Sequence, residues 1–268
     1  MIKRLFNRND NIAILIAGIF SIIIGLGVAR FAFTGLIPAM LDDYLTIKFV
    51  GILASLNFAG YLSGSIFSIF VKDINFKVYL YRFGIFLAIS TTFILAYSDN
   101  NTLWMIGRVL AGFAGAMCLI VGTSIVMQKL TIKSKTKAMG IHFSGIGFSI
   151  LTTDLLARFV LSLNYSWRDS WAVLAVFAII LSLYSVYILS FDKEVKQNAV
   201  KVKFDISIFT PFVIVLIIAY FTEGVGFVVQ ATFLPDIINN LKGLEGYGSL
   251  TWTLVGVAGI PSCIIWML

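Results

Sequence analysis

Hydrophobic positions along this chain fall into long unbroken runs separated by short clusters of charge. Breaking the sequence at those clusters leaves apolar segments at 12–40, 48–71, 78–97, 102–128, 138–163, 170–190, 210–234 and 249–268. Each reaches the roughly 20 helical residues that cross a bilayer. None shows the ten-residue alternation of an outer-membrane barrel strand, and a backbone exposed to lipid must satisfy its own hydrogen bonds. The pattern predicts an all-α integral membrane protein with eight spans.

Composition agrees: 59% of the 268 residues are hydrophobic and 12% charged, against about 25% charged in a soluble domain. The N-terminus, MIKRLFNRNDN, begins like a signal peptide. The apolar run behind it is too long for a signal core and is read as a retained first helix. Cys118 and Cys263 sit inside apolar runs with no Cys or His at metal spacing, so no metal site is expected.

The net charge of +7 changes meaning once its distribution is seen. Lys3, Arg4 and Arg8 precede span 1; Lys72, Lys77 and Arg82 flank the second loop; Lys129, Lys133, Lys135 and Lys137 the fourth; Lys193, Lys196, Lys201 and Lys203 the sixth. The alternate loops hold only Lys48, Arg168 and Lys242. The positive-inside rule then predicts a multi-pass protein of the inner membrane with a cytoplasmic N-terminus. The basic charge orients the chain in the bilayer and does not indicate nucleic acid.

Six spans with short connections are followed by FDKEVKQNAVKVKFD, residues 191–205, before apolar runs resume. This divides the chain into a six-helix unit (1–190), a cytoplasmic linker (191–209) and the start of a second unit (210–268), the layout of a carrier built from two parallel repeats. Spans 1 and 7 carry an echo: Gly27 lies eleven residues before Pro38, and Gly224 eleven before Pro235, and both prolines are expected to end their spans. In that register Arg30 corresponds to Phe227 and Phe33 to Gln230. The last apolar run reaches Leu268 without a polar tail, the pattern of a chain that covers part of a longer carrier.

Three stretches carry a family likeness. Span 1 has Gly25, Gly27, Arg30, Phe31, Leu36 and Pro38 in a G-x-G-x-x-R-F-x-x-x-x-L-x-P arrangement; span 2 has NFAGYLSG (57–64); span 7 has YFTEGVGFVVQATFLP (220–235). Together they resemble the major facilitator superfamily, and most of all its YbfB/YjiJ branch. The resemblance covers the whole chain and corresponds to about the first eight of twelve helices. RVLAGFAGA (108–116) resembles the membrane arginine motif of proton-driven members. VKDINFK (71–77) keeps Asp73, Lys72 and Lys77 of the family's gate loop without its glycines, and HFSGIGFS (142–149) lacks the Gly-Pro of antiporters. The resemblance implies a helical bundle whose first span lines a central cavity.

Charged groups at membrane depth cost about 2.5 to 3.5 kcal/mol each on insertion scales, so each needs a partner, water or a task. Arg30, Arg108, Asp154, Arg158 and Glu223 need such an explanation, with His142 beside them. Arg30 lies roughly 27 Å from the N-terminal side of span 1. Either it holds an anionic substrate or Glu223, or it reaches the outer interface or Asp42. Glu223 shares a helix face with Tyr220, Phe227 and Gln230; it is either a proton carrier or a carboxylate paired with an arginine. Asp154 and Arg158, four apart, can neutralise each other. His142 falls near the end of span 5, where a polar group is cheap; Arg108 serves coupling or helix packing. Gly60 with Gly64, and Gly112 with Ala116, have the small-xxx-small spacing of close helix contacts. Trp167 and Trp171 of WRDSW read as interfacial anchors.

The expectation is a secondary active transporter, moving a small solute together with protons. Substrate binding or coupling would fall to Arg30, Arg108, Asp154, Arg158, His142, Glu223 and Gln230. No cofactor is expected. The absence of a Walker sequence argues against ATP as the driver, and one histidine argues against an intramembrane enzyme. The alternative is a non-transporting remnant of a carrier, or a structural or regulatory membrane protein.

Overall fold

The computed structural model describes residues 2–41, 43–131, 135–190 and 208–267. Asp42, Lys133, Lys193, Lys196, Lys201, Lys203 and most of the expected linker lie outside the described residues. The described residues contain helices and no strand. Seven helices are long and apolar enough to cross a membrane: α1 (Asn11–Leu41), α2 (Ile47–Phe70), α3 (Ile74–Tyr97), α4 (Asn101–Lys129), α5 (Lys135–Ser162), α6 (Trp167–Ile188) and α7 (Pro211–Asn239). The eighth expected span forms a shorter helix, α8 (Gly248–Ile265).

The helix starts are set by side chains that take up free backbone N–H groups. Asp10, Thr46, Asp73, Asn100 and Thr210 accept from the first turns of α1, α2, α3, α4 and α7. Ser166 and Asp169 form a reciprocal capping pair at α6. The N–H of Ile12 holds the Asp10 carboxyl below the usual range. Asp73, expected in a gate loop, therefore caps a helix, and Lys77 nearby donates to Ser124 on α4 at 2.8 Å.

Small residues decide which helices touch. A methyl group on Gly60 of α2 would lie 2.0 Å from the carbonyl oxygen of Val109, and one on Gly112 of α4 would lie 1.9 Å from that of Asn57. The two backbones are in direct contact, as the small-xxx-small spacing predicted. α5 meets α8 in the same way, where a Cβ on Gly147 would sit 2.3 Å from the Ile260 nitrogen. That seam joins the first six helices to the last two.

Two wider π-helical stretches interrupt the bundle, Ile23–Phe31 in α1 and Met117–Val121 in α4. They lie side by side: a Cβ on Gly25 would be 2.3 Å from Cys118 Cβ. Such bulges re-aim side chains and recur at functional positions.

Three expectations need correction. Pro38 and Pro235 do not end their helices; each lies about one turn before the last residue, inside α1 and α7. Trp167 and Trp171 do not face lipid. Both are buried; Trp167 donates to Asp43 at 2.9 Å and stacks on Tyr44, whose ring also meets Trp104. Aromatic rings near a span end suit either a lipid interface or a packed cap, and here three helix ends converge on them. His142, finally, is wholly buried, because α5 begins at Lys135 and carries it two turns into the bundle. The large exposed side chains, such as Ile69, Phe86 and Leu183, are the ordinary outer face of a helix in lipid.

Candidate functional site

Arg30 ends the π-helical stretch of α1, and the local widening turns it towards α2. Its guanidinium carbon lies 4.2 Å from the ring centre of Phe58, 5.3 Å from Tyr61 and 5.5 Å from Phe31. The ring faces attract the cation and leave its N–H edge open. Among the described residues no carboxylate lies within ion-pairing distance of it.

Arg108 comes from α4 and is buried beside it. Its Nη1 donates to the carbonyl of Ala29 at 3.0 Å, its Nε more weakly to that of Leu53 at 3.4 Å, and its guanidinium lies 4.3 Å from the Phe33 ring centre. It therefore ties α1 and α2 to α4. Asn57 of α2 donates its amide to the Arg108 carbonyl at 3.1 Å, while its Oδ1 is buried with no partner.

Arg30, Arg108, Asn57 and Thr34 line a small cavity of about 20 Å³, closed on one side by Ala231 and Thr232 of α7. That is room for about one water molecule. A second chamber of about 310 Å³ lies between α1, α5, α7 and α8, and Phe31 and Ala231 border both. Its walls are apolar apart from Gln230, Ser262 and Cys263. The side chain of Trp252 closes one end, its ring centre 6.0 Å from that of Phe31.

The two units meet on a register that the sequence echo contains. Thr34 donates to the carbonyl of Ala231 at 2.9 Å, 197 residues away. The same offset separates Pro38 from Pro235 and Gly27 from Gly224. Glu223 lies eight residues before Ala231 on α7, roughly 12 Å along the helix. It borders an open depression with Leu216, Ala219 and Tyr220, exposed and apart from Arg30. The structure thus brings together Arg30 and Arg108, places Gln230 in the adjoining chamber, and leaves Glu223 outside both.

Asp154 and Arg158 form the expected pair at 2.7 Å. Thr253 of α8 donates to the same carboxylate at 2.5 Å and also contacts Arg158. The pair is therefore a clasp between the units, near the end of the bundle opposite the N-terminus. His142 is bonded to Thr123 at 2.8 Å, and its ring would be 2.6 Å from a Cβ on Gly18. Gly18 precedes Arg30 by twelve residues, roughly 18 Å along α1. It is remote from the arginines. Sequence reasoning overlooked Asn57, Thr34 and Thr253. The available signal was Asn57, an amide in the middle of an apolar run, which was read only for its neighbouring glycines.

Residues 22–268 match the family described as "Uncharacterised MFS-type transporter YbfB". Among curated proteins, the Protein TsgA homolog of Buchnera aphidicola subsp. Baizongia pistaciae (strain Bp) is 24% identical over 161 residues, 59% of this chain and 41% of that protein. The chain spans less than half the length of that relative.

Proposed function

The chain belongs to the MFS-type transporter family typified by YbfB, and we propose that it moves a small solute across the inner membrane by alternating access, coupled to protons. The observation that carries this reading is the pair of arginines, Arg108 buried and Arg30 half-buried, unmatched by any carboxylate among the described residues, at the cavity lined by α1, α2, α4 and α7. Two uncompensated cations are costly at membrane depth. A site that must be charged and yet be left open is what a binding step requires.

In this reading α1–α6 form one rocking unit, with the N-terminus in the cytoplasm, and α7–α8 begin the other. The Thr34–Ala231 bond and the Asp154–Thr253 clasp hold one end closed and break when it opens. Arg30, Arg108 and Gln230 contact the solute. Glu223, on the open face of α7, carries the proton. Arg158 supports the clasp, and His142 packs α5 against α1.

The test is proton flux in proteoliposomes loaded with the pH dye pyranine, challenged with a panel of organic anions, sugars, amines and amino acids. One class should acidify or alkalinise the lumen only when the protein is present. Glu223→Gln should abolish uptake driven by a pH gradient while solute exchange continues. Persisting pH-driven uptake would remove Glu223 from coupling.

A further inference from the structure

Building on the carrier reading, we infer that the solute is a monocarboxylate with a hydroxyl beside the carboxyl group and an apolar body. Three features of the two cavities lead there.

The first is charge. Arg30 and Arg108 lie side by side, and a guanidinium keeps its proton under all ordinary conditions. Arg108 spends donors on the carbonyls of Ala29 and Leu53. Among the described residues Arg30 has ring contacts alone, so its planar N–H edge remains for a carboxylate, which it can grip with two parallel hydrogen bonds.

The second is Asn57. Its amide nitrogen is committed to the Arg108 carbonyl, and its Oδ1 is buried with no partner among the described residues, in a side chain that belongs to the cavity lining. A buried acceptor calls for a donor. An ammonium would bring a third positive charge beside two arginines, so the donor is a neutral hydroxyl. It sits next to the carboxyl group, since the cavity, with room for about one water molecule while the Thr34–Ala231 bond closes it, admits a small head group only as that bond parts.

The third is the chamber across Phe31. At about 310 Å³ it falls in the size range of small-molecule sites. It has no basic residue, so a second carboxylate there would be unmatched. Phe31 and Trp252, in edge-to-face contact with ring centres 6.0 Å apart, give the chamber an aromatic wall for a flat or branched apolar group to pack against.

The experiment uses the purified chain in lipid nanodiscs, titrated with 3-phenyllactate, 3-phenylpropionate, 3-phenyllactamide and lactate, and read by the change in intrinsic tryptophan fluorescence that is lost in Trp252→Phe, and by thermal midpoint. 3-Phenyllactate should bind best. Removing its charge as the amide should weaken binding roughly 10-fold or more, and removing its hydroxyl about 2- to 10-fold. Lactate, without the body, should bind weakest of the acids. Arg30→Gln should erase the preference for acid over amide, and Arg30→Lys should restore part of it. Should these variants misfold, arginine labelling of the unaltered protein by phenylglyoxal decides: 3-phenyllactate should protect Arg30 and the amide should not. Equal binding of acid and amide, or no binding by any of the four, overturns the inference. Flux of a neutral or cationic solute that survives Arg30→Gln overturns it too and leaves the carrier reading standing. Selective acid binding without flux supports the anion site and sinks the carrier reading instead.

Discussion

The contact between α2 and α4 allows a prediction whose size follows from the coordinates. Gly112→Ala adds a methyl group 1.9 Å from the carbonyl oxygen of Asn57 and 2.8 Å from the amide nitrogen of Tyr61. Carbon and carbonyl oxygen settle at about 3.3 to 3.6 Å, so the helices must part by roughly 1.4 Å. Both obstacles are backbone, so no side chain can swing aside. Overpacking of this kind costs about 1 to 3 kcal/mol, against a gain of roughly 1 kcal/mol from replacing a helical glycine by alanine. The net loss should be up to about 2 kcal/mol, a fall of up to roughly 8 °C in thermal midpoint for a chain of this size, and about 1 to 3 kcal/mol relative to a glycine whose methyl meets no obstacle. The displaced residues are those around the arginine cavity, so ligand affinity should fall with stability. The assay is thermal unfolding of the detergent-solubilised protein by size-exclusion chromatography. Gly107→Ala on the same helix is the control, since its methyl meets only Ile94 Cγ2 at 3.7 Å. If the two variants melt together, the reasoning about this contact is wrong.

Other expectations follow from single contacts. Asp154→Asn keeps the shape of the clasp but removes its charge; it should expose a cysteine placed at the buried Ala231 to a polar maleimide several-fold faster, and unchanged labelling would show that the clasp holds nothing shut. Thr34→Val deletes one neutral hydrogen bond between the units, about 1 kcal/mol, and should shift the same accessibility in the same direction by less. His142→Gln retains a bond to Thr123, so solute-driven proton flux should persist in pyranine-loaded vesicles; its loss would return His142 to the proton pathway.

Apolar length alone made the helices legible: seven of eight expected spans became long membrane helices, and the eighth a shorter one. Two Gly-to-Pro intervals also contained the offset of 197 at which Thr34 of α1 meets Ala231 of α7. What hydropathy could not tell was which face of a helix meets lipid and which meets protein, because both environments are apolar. That is why Trp167 and Trp171 read as anchors though they are buried, and why His142 looked peripheral. The approach of Arg30 to Arg108 was invisible for a different reason: it depends on the π-helical turn before Arg30 and on Gly60 and Gly112, which let α2 and α4 come close. Asp154 and Arg158 were read correctly as a pair, while their third member, Thr253, lies 95 residues from Arg158 and has no local signal.

The most direct test of the account is a pair of distances measured by pulsed electron paramagnetic resonance, with Cys118 and Cys263 replaced by serine. Spin labels at Phe76 and Phe212 report on the end that carries the N-terminus, and labels at Leu103 and Leu244 report on the other; all four positions are exposed. Adding the solute that elicits proton flux should change the two distances in opposite senses, one end closing as the other opens. Two distances that stay fixed, or that move together, would contradict alternating access about the arginine cavity.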